Sequence, residues 1–161
     1  MRAVDNFYYE FKKNNSRMTG QIAGSVVIEI ILGYLPAMYP IGFVFRGDMD
    51  AAWFAAISVF MLAIAMYLYM RSYSVIQENG EIHSVMEKLR YIPVSVSDVR
   101  LYLKQRLNRF CIRVFAVCAL IQVIGNAIAK TGILYGLLYA CLLSGLLWVI
   151  GSLDLRRVKI K

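Results

Sequence analysis

The sequence predicts an all-α polytopic membrane protein: a bundle of four transmembrane helices with an N-terminal interfacial helix and a short amphipathic helix in one long cytoplasmic loop. Three observations point there. Hydrophobic residues make up 60% of the 161-residue chain and charged residues only 17%, against roughly 45–50% and 25% in soluble domains. The apolar residues come in four blocks, Gln21–Phe45, Ala51–Met70, Cys111–Ala129 and Ile133–Leu153, each long enough at 1.5 Å per residue for a hydrocarbon layer of roughly 30 Å. None of the blocks alternates apolar with polar residues as the strands of a membrane barrel do. One transmembrane domain, 1–161, follows, with spans over 20–45, 51–70, 109–129 and 133–153.

The net charge of +8 is informative through its placement. Arg2, Lys12, Lys13 and Arg17 precede the first block. Arg71, Lys88, Arg90, Arg100, Lys104, Arg106, Arg109 and Arg113 lie between the second and third or just inside them, and Arg156, Arg157, Lys159 and Lys161 follow the fourth. Only Arg46 and Lys130 remain for the other side. The positive-inside rule therefore puts both termini and the loop 71–108 in the cytoplasm of a cell whose plasma membrane holds the chain. No separate basic module exists to read nucleic acid. The first twenty residues contain Asp5, Glu10 and four basic residues but no apolar run, so they do not read as a cleavable signal. Cys111, Cys118 and Cys141 are odd in number and form no C-x-x-C; they read as small buried hydrophobes, with neither disulfide nor metal site implied.

Within 1–19, Val4, Phe7, Tyr8 and Phe11 fall on one helical face with most charges opposite, the pattern of a helix lying in the interface plane. The first span carries Gly20 and Gly24 in G-x-x-x-G spacing, a weak helix-packing signal, then Glu29, then Pro36 and Pro40. Each proline removes a helix hydrogen bond, so the outer third is expected to kink or break. Glu29 is the most expensive residue: an acid near the bilayer midplane costs about 3 kcal/mol on insertion scales, which the surrounding Ile, Leu, Val and Phe offset at about 0.3–0.6 each. With no acid or base read as its partner in the other spans, Glu29 is expected either to hydrogen-bond a neighbouring helix or to face a polar path. The second span holds no charge and ends in Tyr67 and Tyr69.

In the loop, Ile82, Val85, Met86, Leu89 and Ile92 form an apolar stripe at i, i+3, i+4, i+7 and i+10 that Pro93 ends, which predicts a short amphipathic helix over 82–92. Ser95 and Asp98 make an S-x-x-D capping box that starts a helix running into the third span. His83, the single histidine, stands beside Glu87 with no further ligands and reads as a solvated surface residue. In the third span Gln122 and Asn126, with Cys118, recur every four residues; such amides either bond to neighbouring helices or line a hydrophilic path. In the fourth, Gly136, Ser144, Gly145 and Gly151 offer small packing surfaces. No P-loop, G-x-G-x-x-G, H-E-x-x-H or G-x-S-x-G occurs, so neither catalytic residues nor a cofactor is expected.

Two segments resemble a known family. FYYEFKKNNSRMTG before the first span resembles the N-terminal elbow of the permease subunits of type 2 ATP-binding-cassette exporters, and MEKLRYIPVSVSDVRLYLKQRL resembles their cytoplasmic coupling segment. The resemblance implies that helix 82–92 docks on a separate nucleotide-binding subunit. Ile82, Val85, Met86, Leu89, Tyr91 and Ile92 would be its contacts, and Glu87 and Arg90 its rim charges. That family usually has six spans per permease, so four imply a reduced subunit that pairs with itself or with another permease subunit. The departure also leaves room for a small non-transporting membrane protein, such as an immunity or accessory factor.

Overall fold

A computed structural model describes residues 4–9, 16–78, 81–85 and 95–157. Four helical stretches, Met18–Arg46, Met49–Ser74, Val96–Ile128 and Ile133–Leu155, are each long and apolar enough to cross a membrane, the build of a multi-pass membrane protein. Large apolar side chains cover their outward faces: Ile112 is 66% exposed, Leu142 73% and Ile128 79%. Water would penalise that surface heavily, and lipid does not.

Helix α1 (residues 4–9) and helix α2 (Ser16–Val27) open the chain. α2 widens into a π-helical stretch, Ile28–Tyr34, and the span then breaks. Pro36 begins a 3-10 turn over Pro36–Met38, Tyr39 and Pro40 are extended, and a second 3-10 stretch, Ile41–Arg46, ends at Gly47 with φ of 85°. The two prolines break the last third of the span, as their missing N–H groups require. Asp48 then caps α3 (Met49–Ser74), its Oδ1 accepting from the backbone N–H groups of Asp50 and Ala51.

α3 runs four residues past the apolar block and passes into an antiparallel hairpin, β1 (Val75–Glu78) with β2 (Glu81–Ser84), in the register Val75 to Ser84 and Glu78 to Glu81. This corrects the expectation of a helix from residue 82: Ile82 and His83 lie in β2, and the chain is helical again at Val85, which is buried. The i, i+3 spacing of Ile82 and Val85 suits a helix. However, the β-branched Val75, Ile76 and Ile82, flanking an Asn-Gly pair in the sequence, favour a two-strand ribbon. Residues 86–92 of the expected helix lie outside the described residues.

The S-x-x-D box behaves as expected. Ser95 Oγ accepts from the Asp98 N–H at 3.1 Å and donates to its carboxylate at 2.7 Å, starting α4 (Val96–Ile128). At 33 residues α4 is about 50 Å long, so it extends well beyond a hydrocarbon layer at the end that carries the hairpin, the loop end. A tight turn, with Lys130 at φ 53° and Gly132 at φ 99°, leads at the opposite, turn end into α5 (Ile133–Arg157).

α4 and α5 pack along their length, with Val99, Leu103, Leu107, Phe110, Val114 and Cys118 of α4 buried against neighbours that include Ala140, Leu143 and Leu147 of α5. Gly136 and Gly151 are where the two come closest: a Cβ on Gly151 would lie 2.5 Å from Leu107 Cδ1. Gly145, Gly20 and Gly24 have nothing within 4 Å of such a Cβ, so of the five glycines singled out from the sequence Gly136 and Gly151 serve close packing inside this chain. Cys111 and Cys118 are buried, but Cys141 is exposed on α5. It points away from α4 and so departs from the buried reading.

At the loop end Val4 and Tyr8 of α1 are buried, and Tyr9 is 70% exposed. Tyr8 stacks on Tyr102 with centroids 4.4 Å apart and donates to the Tyr73 carbonyl at 3.0 Å. Burial, then the neighbouring Tyr102 and Tyr73, push its phenol above the usual range, so it stays a donor. Phe11 of the expected face lies outside the described residues.

Gly42 tests the turn-end packing, because a Cβ there would sit 2.5 Å from Asn126 Oδ1 and 2.5 Å from Thr131 Cβ. Gly42→Ala is expected to lower stability in detergent denaturation by about 1–3 kcal/mol. Gly24→Ala, which has open space, should change it by no more than about 0.5.

Candidate functional site

The π-helical stretch matters because of what it places together. In an α-helix residues five apart point about 140° away from each other, whereas the i to i+5 bonding of a π turn sets them on one side. Tyr34 therefore reaches Glu29, its hydroxyl donating to Oε1 at 2.6 Å. From α4, Arg113 donates Nε to Oε1 at 3.0 Å and Nη2 to Oε2 at 2.7 Å. Glu29 is only 3% exposed while the Arg113 side chain is 46% exposed. The guanidinium plane also lies 5.3 Å from the Phe110 ring and 5.9 Å from Tyr69, so cation–π contact supports the half of it that the carboxylate does not use.

Glu29 thus has an ionic partner, contrary to the expectation from the sequence. Arg113 lies just inside the third apolar block and reads there as the last charge of the basic loop. α4 continues unbroken through that boundary, and the face that buries Phe110 and Val114 also carries Arg113 toward the first span. The bidentate geometry suits a guanidinium on a carboxylate, and pairing removes most of the cost of either charge in a low-dielectric setting.

Beside the pair lies a cavity of about 590 Å³ between the first span and α4. Val26, Ile30, Leu35 and Met38 wall one side, Val117 and Ile121 the other, with Glu29, Tyr34 and Arg113 supplying the polar groups. Ile30 and Leu35 are 57% and 61% exposed, so the cavity is a groove that opens sideways between helices. Its polar edge holds the guanidinium, which only donates, next to its carboxylate partner and the phenol bonded to that carboxylate.

Gln122 and Asn126 do different work. Gln122 Nε2 donates to the carbonyls of Ala37 at 2.6 Å and Tyr39 at 3.0 Å, and its Oε1 accepts from the Ile41 N–H at 3.0 Å. Asn126 Oδ1 accepts from the Gly42 N–H at 2.9 Å and the Thr131 hydroxyl at 2.7 Å. The Asn126 amide donates to the Gln122 carbonyl and to Gln122 Oε1, at 2.8 and 2.9 Å. Every donor and acceptor position of both amides is filled. They bind the backbone that the prolines release, and leave nothing to line a path.

Of the loop residues, Ile82 is in β2 and Val85 follows it; Met86, Glu87, Leu89, Arg90, Tyr91 and Ile92 lie outside the described residues. Among the described residues no group of His, Cys, Asp and Glu could hold a metal ion.

The ion pair gives a quantitative expectation. Arg113→Gln, which leaves the buried carboxylate unpaired, should cost about 3–5 kcal/mol, whereas Glu29→Leu combined with Arg113→Leu should regain most of that loss. Denaturation of the three proteins in detergent measures both, and equal losses in the single and double variants would contradict the pairing. No family model, curated protein or solved structure matches the chain.

Proposed function

We propose that this chain is a transmembrane subunit of an ATP-binding-cassette type exporter. In this reading it sits in the plasma membrane with both termini and the loop in the cytoplasm, and a separate ATPase subunit drives it through that loop. The observation that carries the reading is the pairing of buried Glu29 with half-exposed Arg113, which joins a broken first span to α4 beside a groove open to the side. Charges inside a membrane bundle are costly and are retained where a substrate or ion must be handled. Interrupted helices are the usual builders of such sites in transporters. A groove with apolar walls and a single polar edge, formed by Arg113, Glu29 and Tyr34, suits an amphipathic substrate that reaches it from the bilayer.

The basic residues clustered at the loop end favour the cytoplasmic orientation, and α1 folded beneath the bundle fits an interfacial elbow. Met86, Leu89, Tyr91 and Ile92 would supply the apolar contacts to the ATPase in this reading, and Glu87 and Arg90 the charged ones. The chain's own sequence has no nucleotide-binding motif, so energy must come from the partner. A second permease subunit, or another copy of this one, would complete the pathway.

The test is co-purification from the native membrane, scored by ATP hydrolysis. A nucleotide-hydrolysing subunit should accompany the wild-type chain, and Met86→Asp with Leu89→Asp should reduce its recovery at least about tenfold, the effect of burying two charges in an apolar contact. Absence of any such subunit, or recovery unchanged by the double variant, would remove ATP-coupled transport and leave the accessory-factor reading.

A further inference from the structure

The guanidinium of Arg113 has two hydrogen-bonding edges, and Glu29 uses one of them. Nε and Nη2 donate to the two carboxylate oxygens, so the edge between Nη1 and Nη2 keeps its outward N–H donors. Among the described residues no other oxygen accepts from this side chain, and Phe110 and Tyr69 meet it with their rings. The Arg113 side chain lines the groove and is 46% exposed, whereas Glu29 is 3% exposed and the Tyr34 hydroxyl is spent on it. What the groove chiefly meets is a two-pronged donor, backed by the carboxylate.

The charge next to this donor is not balanced. Arg113, Val117 and Ile121 line the groove at every fourth position of α4. Arg109 is the next member of that row toward the loop end, one turn or about 6 Å away. Arg109 is exposed, and among the described residues no carboxylate pairs with it. Two guanidinium groups and one carboxylate leave a single net positive charge, the complement of a monoanion.

Polarity is also graded along the spans. From Arg113 the α4 wall runs to Val117 and Ile121, about 6 and 12 Å nearer the turn end. On the first span Glu29 is likewise followed by Leu35 and Met38 in that direction. The cations thus mark the loop end and the apolar walls lead toward the middle of the membrane, which is how an amphiphile of the loop-side leaflet is oriented.

We infer that the groove binds a single-chain amphiphile with a carboxylate head, a long-chain fatty acid drawn from that leaflet. Its carboxylate lies on the Nη1–Nη2 edge of Arg113 with Arg109 beside it, since a planar carboxylate matches a guanidinium edge through two parallel bonds. Its chain lies between Leu35 and Met38 on one side and Val117 and Ile121 on the other, a trough between two helices that seats one chain. The inference deepens the transport reading by naming a substrate class, and it rests on that reading only in calling the fatty acid a substrate.

The test uses palmitic acid carrying a diazirine at the end of its chain, photolysed with the protein in phosphatidylcholine nanodiscs. The label should fall on Leu35, Met38, Val117 or Ile121. Unlabelled palmitate should compete at about a tenfold lower concentration than hexadecanol, which has the same chain length and no charge, because bonds to charged groups are the stronger ones. Arg109→Gln should raise the competing concentration of palmitate about threefold and leave that of hexadecanol unchanged. Lys104→Gln, an exposed cation of α4 outside this groove, should move neither. Label spread evenly over the exposed faces of α3 and α5, equal competition by hexadecanol, or a palmitate concentration unmoved by Arg109→Gln or moved equally by Lys104→Gln would overturn the inference. So would competition by phosphatidylglycerol at the level of palmitate, which would show a site for two-chain lipids, or by millimolar acetate, which would show a site for soluble anions. The protein is labelled without an ATPase. Specific labelling with no ATPase accompanying the protein in co-purification would therefore keep the site and remove its transport role, and an accompanying ATPase with no specific labelling would overturn the site alone.

Discussion

Lipid offers no hydrogen bonds, and the first span departs from α-helical bonding over residues 28–46. Each backbone group it releases must find a partner in protein. The neighbours supply these partners. Ser58 of α3 donates to the Gly33 carbonyl at 2.7 Å, the two amides of α4 take the carbonyls and N–H groups between Ala37 and Gly42, and Arg46 reaches the Lys130 carbonyl at 2.9 Å. The break therefore organises the bundle. It forces α3, α4 and the α4–α5 turn to converge at one end, and Gly42 lets the backbone approach closely enough for the amides to reach it.

This convergence is one-sided. At the loop end α2 packs chiefly on α3, and the amides of α4 lie too far toward the turn end to hold it. Between the two, the first span and α4 separate and the groove opens. The ion pair bridges that gap. Tyr34 reaches Glu29 because the widened π turn over Ile28–Tyr34 brings residues five apart to one side. Break, groove and buried carboxylate lie along one span, whose irregular backbone is held by side chains from α3 and α4.

Much of this was legible in the sequence. Apolar block lengths marked four spans, because length against bilayer thickness is a strong constraint. Pro36 and Pro40 marked the break, and Ser95 with Asp98 marked the start of α4. What escaped depended on pairing across the fold. Arg113 is 84 residues from Glu29, and at the edge of an apolar block it is indistinguishable from a loop charge until α4 is seen to run through. Gln122 and Asn126 showed their four-residue spacing, but a sequence does not say whether amides meet water or a neighbour's backbone. The hairpin had a signal, the Asn-Gly pair between β-branched runs. It was outweighed by a helical spacing that only two of the described apolar residues, Ile82 and Val85, carry.

The aromatic residues at the loop end suggest why the ion pair sits where it does. Tyr8 of α1 stacks on Tyr102 and meets the edge of Tyr73 at 5.9 Å; Tyr73 meets Tyr69 at 5.3 Å, and Tyr69 meets Phe110 at 5.4 Å. Arg106 lies over Tyr102 and Tyr73, and Arg113 over Phe110 and Tyr69. Contact thus runs from α1 to the guanidinium that holds Glu29, through Tyr73 and Tyr69 of α3 and then Phe110 of α4. Rings in edge and stacked contact repack in discrete steps rather than sliding continuously. A displacement of α1, or of the end of α3 where the hairpin begins, would therefore reach Arg113 before it reached the amide-bonded turn end. The part of the molecule closest to the loop is thus joined by ring contacts to a guanidinium that lines the groove beside Glu29. A partner acting from the loop end would not need to move the whole bundle to alter it.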